Sequence, residues 1–384
     1  MAARLALAVA TGAASVLPGF LIGTLALQIG ADLDVRVEAV AAGVTVFFLA
    51  GAFGAGWGGR LADHIGALRA MRRCVFISAA SLGAAALAPT LLVLFALLAV
   101  AGVANSITQP AINLFVAEQI APDRQGFGFG IKQSGIPAAI LLSGLALPVL
   151  ALPLGWRTTV GICALAPLAV AIALPRGETA HVSRRTGSRR PSRALFLTAL
   201  GAALGTAGPS ALGAYLVASA VDVGIGEGTA GLLAALGSGL SLAMRVWLGA
   251  RADRKRDYGL TLVVVLLMAG SVGFAVMASG TAALFVAGML VAFTLGWGWN
   301  GLFNLAVVDS NRETPGSASG VTQTGIYVGG AAGPAAFGAI AASAGYGAAW
   351  LLVAATTLSA AAVLWRAARL GVRPIEGSAA NSRV

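Results

Sequence analysis

The chain is short of charge, cysteine and histidine, and each shortage removes a class of function. Only 10% of its 384 residues are charged, against roughly 25% in a soluble domain, so it lacks the polar surface that keeps a globular enzyme in water. Its two cysteines, Cys74 and Cys163, stand in apolar stretches without partner spacing, and its two histidines, His64 and His181, stand in polar segments. That supply supports neither a disulfide framework nor a zinc site. No phosphate-cradling loop of the Walker type occurs, which argues against ATP-driven work. What the chain has in excess is apolar residues, 58% of the total. At about 20 apolar residues per span, twelve spans use roughly 240 and leave about 11 for each of thirteen loops and tails. Nothing remains for a separate soluble domain.

The net charge of +11 is distributed in a way that speaks against a nucleic-acid partner. Basic residues gather in alternate loops: at Arg60, Arg69, Arg72 and Arg73, at Arg124, from Arg176 to Arg193, at Arg251, Arg254, Lys255 and Arg256, at Arg312, and from Arg366 onward. The loops between them, around Asp32, Asp34 and Glu38, Pro89, Asp222 and Glu227, Ser279 and Ser343, are acidic or nearly uncharged, with Arg36 and Arg157 as exceptions. This is the positive-inside pattern. It predicts a multi-pass protein of the cytoplasmic (inner) membrane with both termini and the basic loops in the cytoplasm, and therefore an even number of spans.

The apolar run from Arg4 to about Ile29 is too long for a signal peptide and reads as span 1. Further spans are predicted near 36 to 61, 70 to 88, 91 to 119, 126 to 151 and 156 to 175, then near 194 to 220, 228 to 250, 258 to 279, 282 to 309, 316 to 342 and 347 to 367. The segment from Arg176 to Arg193 is the only long polar stretch. The expected organisation is a six-helix bundle over 1–175, a cytoplasmic linker over 176–193, a second six-helix bundle over 194–370 and a cytoplasmic tail over 371–384.

The halves are related by more than length, because landmarks recur at an offset of 190 or 191 residues. Pro18 matches Pro209, Asp32 matches Asp222, Gly59 with Asp63 matches Gly249 with Asp253, and Asn113 matches Asn304. Glu118 matches Asp309, and Gly130-Ile-Lys-Gln133-Ser-Gly135 matches Gly320-Val-Thr-Gln323-Thr-Gly325. Ordered matches at one offset imply duplication. Parallel six-span repeats put a substrate site between the halves at mid-membrane. The fold class expected is an all-α integral membrane protein of twelve transmembrane helices, arranged as two pseudo-symmetric six-helix bundles.

The residues also resemble a family, the major facilitator superfamily of transporters. Gly59-Arg-Leu-Ala-Asp63-His64-Ile-Gly66 is similar to its loop signature between spans 2 and 3, and Gly249-Ala-Arg-Ala-Asp253-Arg254 to the copy between spans 8 and 9. Gly135-Ile-Pro137 on span 5, with Gly329, Gly330, Gly333 and Pro334 on span 11, resembles its interface motif of glycine and proline. The resemblance implies that Asp63 and Asp253 latch the cytoplasmic side, with Glu118 and Asp309 as supporting carboxylates near Arg124 and Arg312. Such a carboxylate can meet a helix N-terminus or an arginine. The competing reading of all four is a solvated loop charge.

The substrate is sought among charges inside the spans. Only Lys132 and Arg245 lie well inside, each roughly 10 Å from the cytoplasmic end of its helix at 1.5 Å per residue. A charge at such depth costs about 2.5 to 3.5 kcal/mol on insertion scales and normally faces a cavity, a partner or a substrate. No carboxylate lies at comparable depth, so the two cations fit one anion. Against this, Lys132 can snorkel, and Arg245 can clamp backbone carbonyls or Asp253. Asn105, Gln109, Asn113, Gln133, Asn300, Asn304 and Gln323 offer amides that bind substrate or, equally, glue helices at about 0.6 kcal/mol each. Tyr215, Tyr327, Trp297 and Trp299 are candidate cavity walls or plain packing.

The expectation is a secondary transporter, not an enzyme, since no deep histidine, carboxylate pair or activated nucleophile is available. Its solute is a small organic or inorganic anion, taken up or exchanged, consistent with a buried arginine on span 8 in the family's organic-anion branches. Export of amphipathic compounds is the alternative. A sensor or scaffold would show an added signalling domain or a lost gate motif, and neither is seen. No cofactor or metal is expected, and the partners are the solute, the lipid bilayer and a coupling proton that substrate and Lys132 can share, with the chain acting as a monomer.

Overall fold

The computed structural model describes residues 2–119, 125–176, 192–254, 259–311 and 315–371. Among them the backbone is helical almost throughout and contains no strand. A spanning chain that forms no closed barrel has only this choice, because lipid offers no hydrogen bonds to a backbone N–H or C=O.

Helix α1 runs Ala2–Thr24 and resumes as Ala26–Leu33. It is followed by α2 (Val37–Ile65), α3 (Ala67–Ala85) and α4 (Leu91–Gln119). Helix α5 joins Gln125–Gln133 to Gly135–Ala146, a wide turn at Leu147–Ala151 and a last turn at Leu152–Leu154. Helix α6 joins Trp156–Cys163 to Leu165–Ala173. The second half holds α7 (Arg193–Asp222), α8 (Glu227–Arg254) and α9 (Leu260–Met277). Helix α10 is interrupted: Ala282–Val291 passes into a wide turn at Ala292–Gly296 and restarts at Asn300–Ser310. The continuous stretch Pro315–Gly371 turns back at Gly345, where φ is 85°, and so supplies two crossings, α11 (315–344) and α12 (346–371).

Ten of these stretches are long and apolar enough to cross a membrane, one of them the double-length Ala318–Leu370. The remaining crossing is α3, whose first two turns carry Arg69, Arg72 and Arg73. The first span ends later than its apolar run suggests, continuing through Asp32 to Leu33. The stop comes from Asp34, which takes the left-handed conformation at φ 52°, a geometry aspartate tolerates better than most residues.

The halves meet along matched seams. Helix α5 packs against α8, and α2 packs against α11; the repeat relates one pair to the other. Helix α1 packs against α7 on the remaining side. Lipid removes the hydrophobic drive for helices to associate, so small residues that let backbones close up take its place. On the α5–α8 seam a Cβ added to Gly130 would stand 2.7 Å from the Arg245 carbonyl, and one on Gly144 would stand 2.5 Å from that of Gly231. Large apolar side chains such as Phe53, Leu92, Val149 and Met268 are exposed on the outside of the bundle, where lipid chains are their solvent.

Two exceptions to the charge asymmetry are neutralised locally. Arg36 pairs with Glu38 at 3.3 Å and Arg157 with Asp32 at 2.9 Å. Arg157 also stacks on Trp156 and donates to the Ala88 carbonyl.

Candidate functional site: two buried polar clusters between the halves

Two clusters of polar side chains occupy the interior. The first is charged. Lys132 on α5 is 4% exposed and Arg245 on α8 is 0% exposed. Both converge on Gln133: Lys132 Nζ donates to its Oε1 at 3.4 Å, and Arg245 Nη1 donates to its backbone carbonyl. The other arm of the guanidinium reaches α10, where Nε and Nη2 donate to the Trp297 carbonyl at 3.2 and 2.9 Å.

The break in α10 explains that contact. A wide turn followed by three non-helical residues frees carbonyls from the helical ladder. Trp299 Nε1 takes the Gly296 carbonyl at 3.0 Å, and Arg245 takes that of Trp297. Its guanidinium also lies 5.4 Å from the centre of the Trp297 ring. Arg245 therefore clamps α5 to α10 across the boundary between the halves. Among the described residues no carboxylate lies within ion-pairing distance of Lys132 or Arg245.

The second cluster is neutral. Ser15 Oγ on α1 donates to Asn105 Oδ1 at 2.9 Å, and Gln109 Nε2 donates to the same oxygen at 3.3 Å and to Ser15 Oγ at 3.4 Å. Asn105 Nδ2 then donates to Tyr327 OH at 3.3 Å, and Tyr327 OH donates back to the Asn105 backbone carbonyl at 3.4 Å. The chain links α1, α4 and α11, and thus the two halves.

The other amides are dispersed. Asn304 Nδ2 is spent on the Asn300 carbonyl of its own helix at 3.0 Å. Asn300 Oδ1 is buried without a hydrogen-bond partner among the described residues. Asn113 and Gln323 are half-buried and join neither cluster through a described hydrogen bond. Sequence reasoning gave no role to Ser15 and Tyr327 as partners, nor to Ser238 and Ser241. Those two hydroxyls are fully buried, unpartnered among the described residues, and on the same face of α8 as Arg245. The spacing of three and seven residues along an otherwise apolar helix is the signal that could have found them. Between the clusters the rings of Phe20, Phe48, Phe293, Trp297 and Tyr327 form a run of edge-on and tilted contacts.

The residues expected to form the gate are described in part. Asp253 Oδ2, near the end of α8, accepts the Phe127 backbone N–H at 2.8 Å. Phe127 is the third residue of α5, so the carboxylate occupies the positive N-terminus of that helix. Gly249 lies against Gly130 one turn away. Gly66 turns the chain from α2 into α3 at φ 85°, a conformation that a side chain would strain. Arg254 and Asp309 are exposed. The surroundings of Gly59, the side chains of Asp63 and Glu118, and the whole of Arg124 lie outside the described residues. At the opposite end the halves touch through Gln28 Nε2 to Glu227 Oε1 at 3.2 Å and through Tyr215 OH to the Glu38 carbonyl at 3.4 Å.

An all-helical bundle of twelve crossings, pseudo-symmetric in its halves and holding buried polar groups where they meet, defines a multi-pass membrane protein of the secondary-transporter class. The family model described as Major Facilitator Superfamily matches residues 5–334, most of the chain, and the chain belongs to that family. No curated protein matches it.

Proposed function

We propose that the protein carries a small anion, by uptake or exchange, with Lys132 and Arg245 as its binding charges. The observation that carries this reading is the pair of buried cations meeting at Gln133 without a carboxylate among the described residues. Keeping them ionised in a low-dielectric interior is costly, and an anion entering between the halves offsets that cost. A carboxylate or similar oxyanion suits the planar guanidinium. The hydroxyls of Ser238 and Ser241, unpartnered among the described residues, add donors on the same helix face. The neutral cluster around Asn105 acts mainly as glue between the halves.

Transport then follows from rocking of the two bundles about this centre, with the basic loops and both termini in the cytoplasm. Asp253 on the N-terminus of α5 closes the cytoplasmic side, and Gln28 with Glu227 closes the other. The two contacts are formed together here, so each half-cycle breaks one of them.

Thermal stabilisation of the purified protein tests the reading, because a ligand that binds only the folded state raises the melting temperature. Small carboxylates, inorganic anions, sugars and cationic drugs are compared on the wild type, Lys132→Ala and Arg245→Ala. One anion class is expected to stabilise the wild type and neither variant. A second reading, export of amphipathic compounds, draws on the aromatic run through Phe20, Trp297 and Tyr327. Stabilisation of all three proteins alike by a cationic or neutral compound would replace the anion carrier with that exporter.

A further inference from the structure

A second concentration of positive charge lies away from the central site. At the basic end of the bundle, α3 and α6 flank a pocket of about 710 Å³ lined by Arg69, Arg72, Arg73 and Arg176. Its wall includes Phe76 and Ile172, which are 55% and 68% exposed. Among the described residues that line it, none is acidic. Three of the arginines sit in the first two turns of α3, and the fourth follows the end of α6. Phe76 lies roughly 10 Å further along the helix axis than Arg69 at 1.5 Å per residue. The pocket thus has a cationic mouth and, further along the helices, an apolar wall.

The repeat shows that this is more than charge asymmetry between loops. At the offset of 190 or 191 residues, the positions of Arg69, Arg72 and Arg73 fall among Gly259, Leu260, Leu262, Val263 and Val264. The second half carries its basic residues ahead of α9, at Arg251, Arg254, Lys255 and Arg256. Loop residues suffice for orientation. The first half instead places three arginines on the helix itself, where charge is costlier to keep, and beside exposed apolar side chains. A soluble anion would use only the arginines. A phospholipid uses both the cationic mouth and the apolar wall.

We infer that this pocket binds an anionic phospholipid of the surrounding leaflet, its phosphate held by the arginines and its chains laid along Phe76 and Ile172. The site is separate from the central one, and its test does not depend on the transported solute.

The protein in an uncharged detergent is titrated with phosphatidylglycerol, with phosphatidylcholine of the same chains, or with glycerol 3-phosphate, and thermal unfolding is followed. Phosphatidylglycerol is expected to raise the melting temperature by several degrees and the other two to leave it nearly unchanged. The triple variant Arg72→Gln, Arg73→Gln and Arg176→Gln is expected to lose that gain. Arg176→Glu, which alters a residue beyond the helix end, should lose most of it even where the triple variant does not fold. Equal gains from both lipids, or a full phosphatidylglycerol response in Arg176→Glu, would overturn the inference. A matching gain from glycerol 3-phosphate would overturn it too, by making the pocket a site for soluble anions.

Discussion

The cluster of Ser15, Asn105, Gln109 and Tyr327 is neutral and its hydrogen bonds close on one another, whereas Lys132, Gln133 and Arg245 hold two positive charges whose partners among the described residues are carbonyl and amide oxygens. Both are buried and both join the two halves. They differ in what is left over. A neutral network satisfies its donors internally and needs nothing further, while dipoles of carbonyls only partly compensate a buried cation. Burial of polar groups therefore does not by itself single out a candidate binding site; an electrostatic deficit does.

Arg245 is the harshest place to break this contrast. Arg245→Ala leaves the Trp297 and Gln133 carbonyls without their donor, at about 1 to 3 kcal/mol for each orphaned group. Transport in proteoliposomes should fall to background and the melting temperature should drop. Arg245→Lys should not rescue it, because a point charge cannot span both carbonyls as the fork does; turnover near wild type in that variant would remove the clamp.

Lys132 sharpens the comparison from the other side. Its one described hydrogen bond is long, at 3.4 Å, so Lys132→Met should abolish anion transport while holding or raising the melting temperature. A loss of stability as large as that of Arg245→Ala would make Lys132 structural. The smallest effects belong to the neutral cluster. Asn105→Ala and Tyr327→Phe should each cost about 0.6 to 1.7 kcal/mol, as interhelical hydrogen bonds in membranes do, with transport reduced only a few-fold. Abolished transport in a stable Asn105→Ala protein would move substrate binding to this cluster and erase the distinction.

The clusters were legible in the sequence to different degrees. Lys132 and Arg245 stood out because charge inside an apolar span is rare. Asn105 and Gln109 stood out as a pair four residues apart, but Asn113, equally spaced from Gln109, lies outside their network. Ser15 and Tyr327 could not be joined to them from spacing, since their partners are on other helices. Such helices are apolar on nearly every side and carry no stripe to show which face points inward. The Arg245 clamp was legible only as one alternative, because its acceptor exists through the interruption of α10 at Trp297.

The sequence by itself determined the number of the crossings, their approximate extents, the duplication and the alternation of basic and acidic ends. These follow from local apolar length and from charge, which the bilayer reads one segment at a time. Only the tertiary structure decided which polar groups meet, that Asp253 seats on the N-terminus of α5, and that α3 and α6 bring four arginines around one pocket. Those contacts join residues far apart in the chain, and close packing of small residues between helices fixes them.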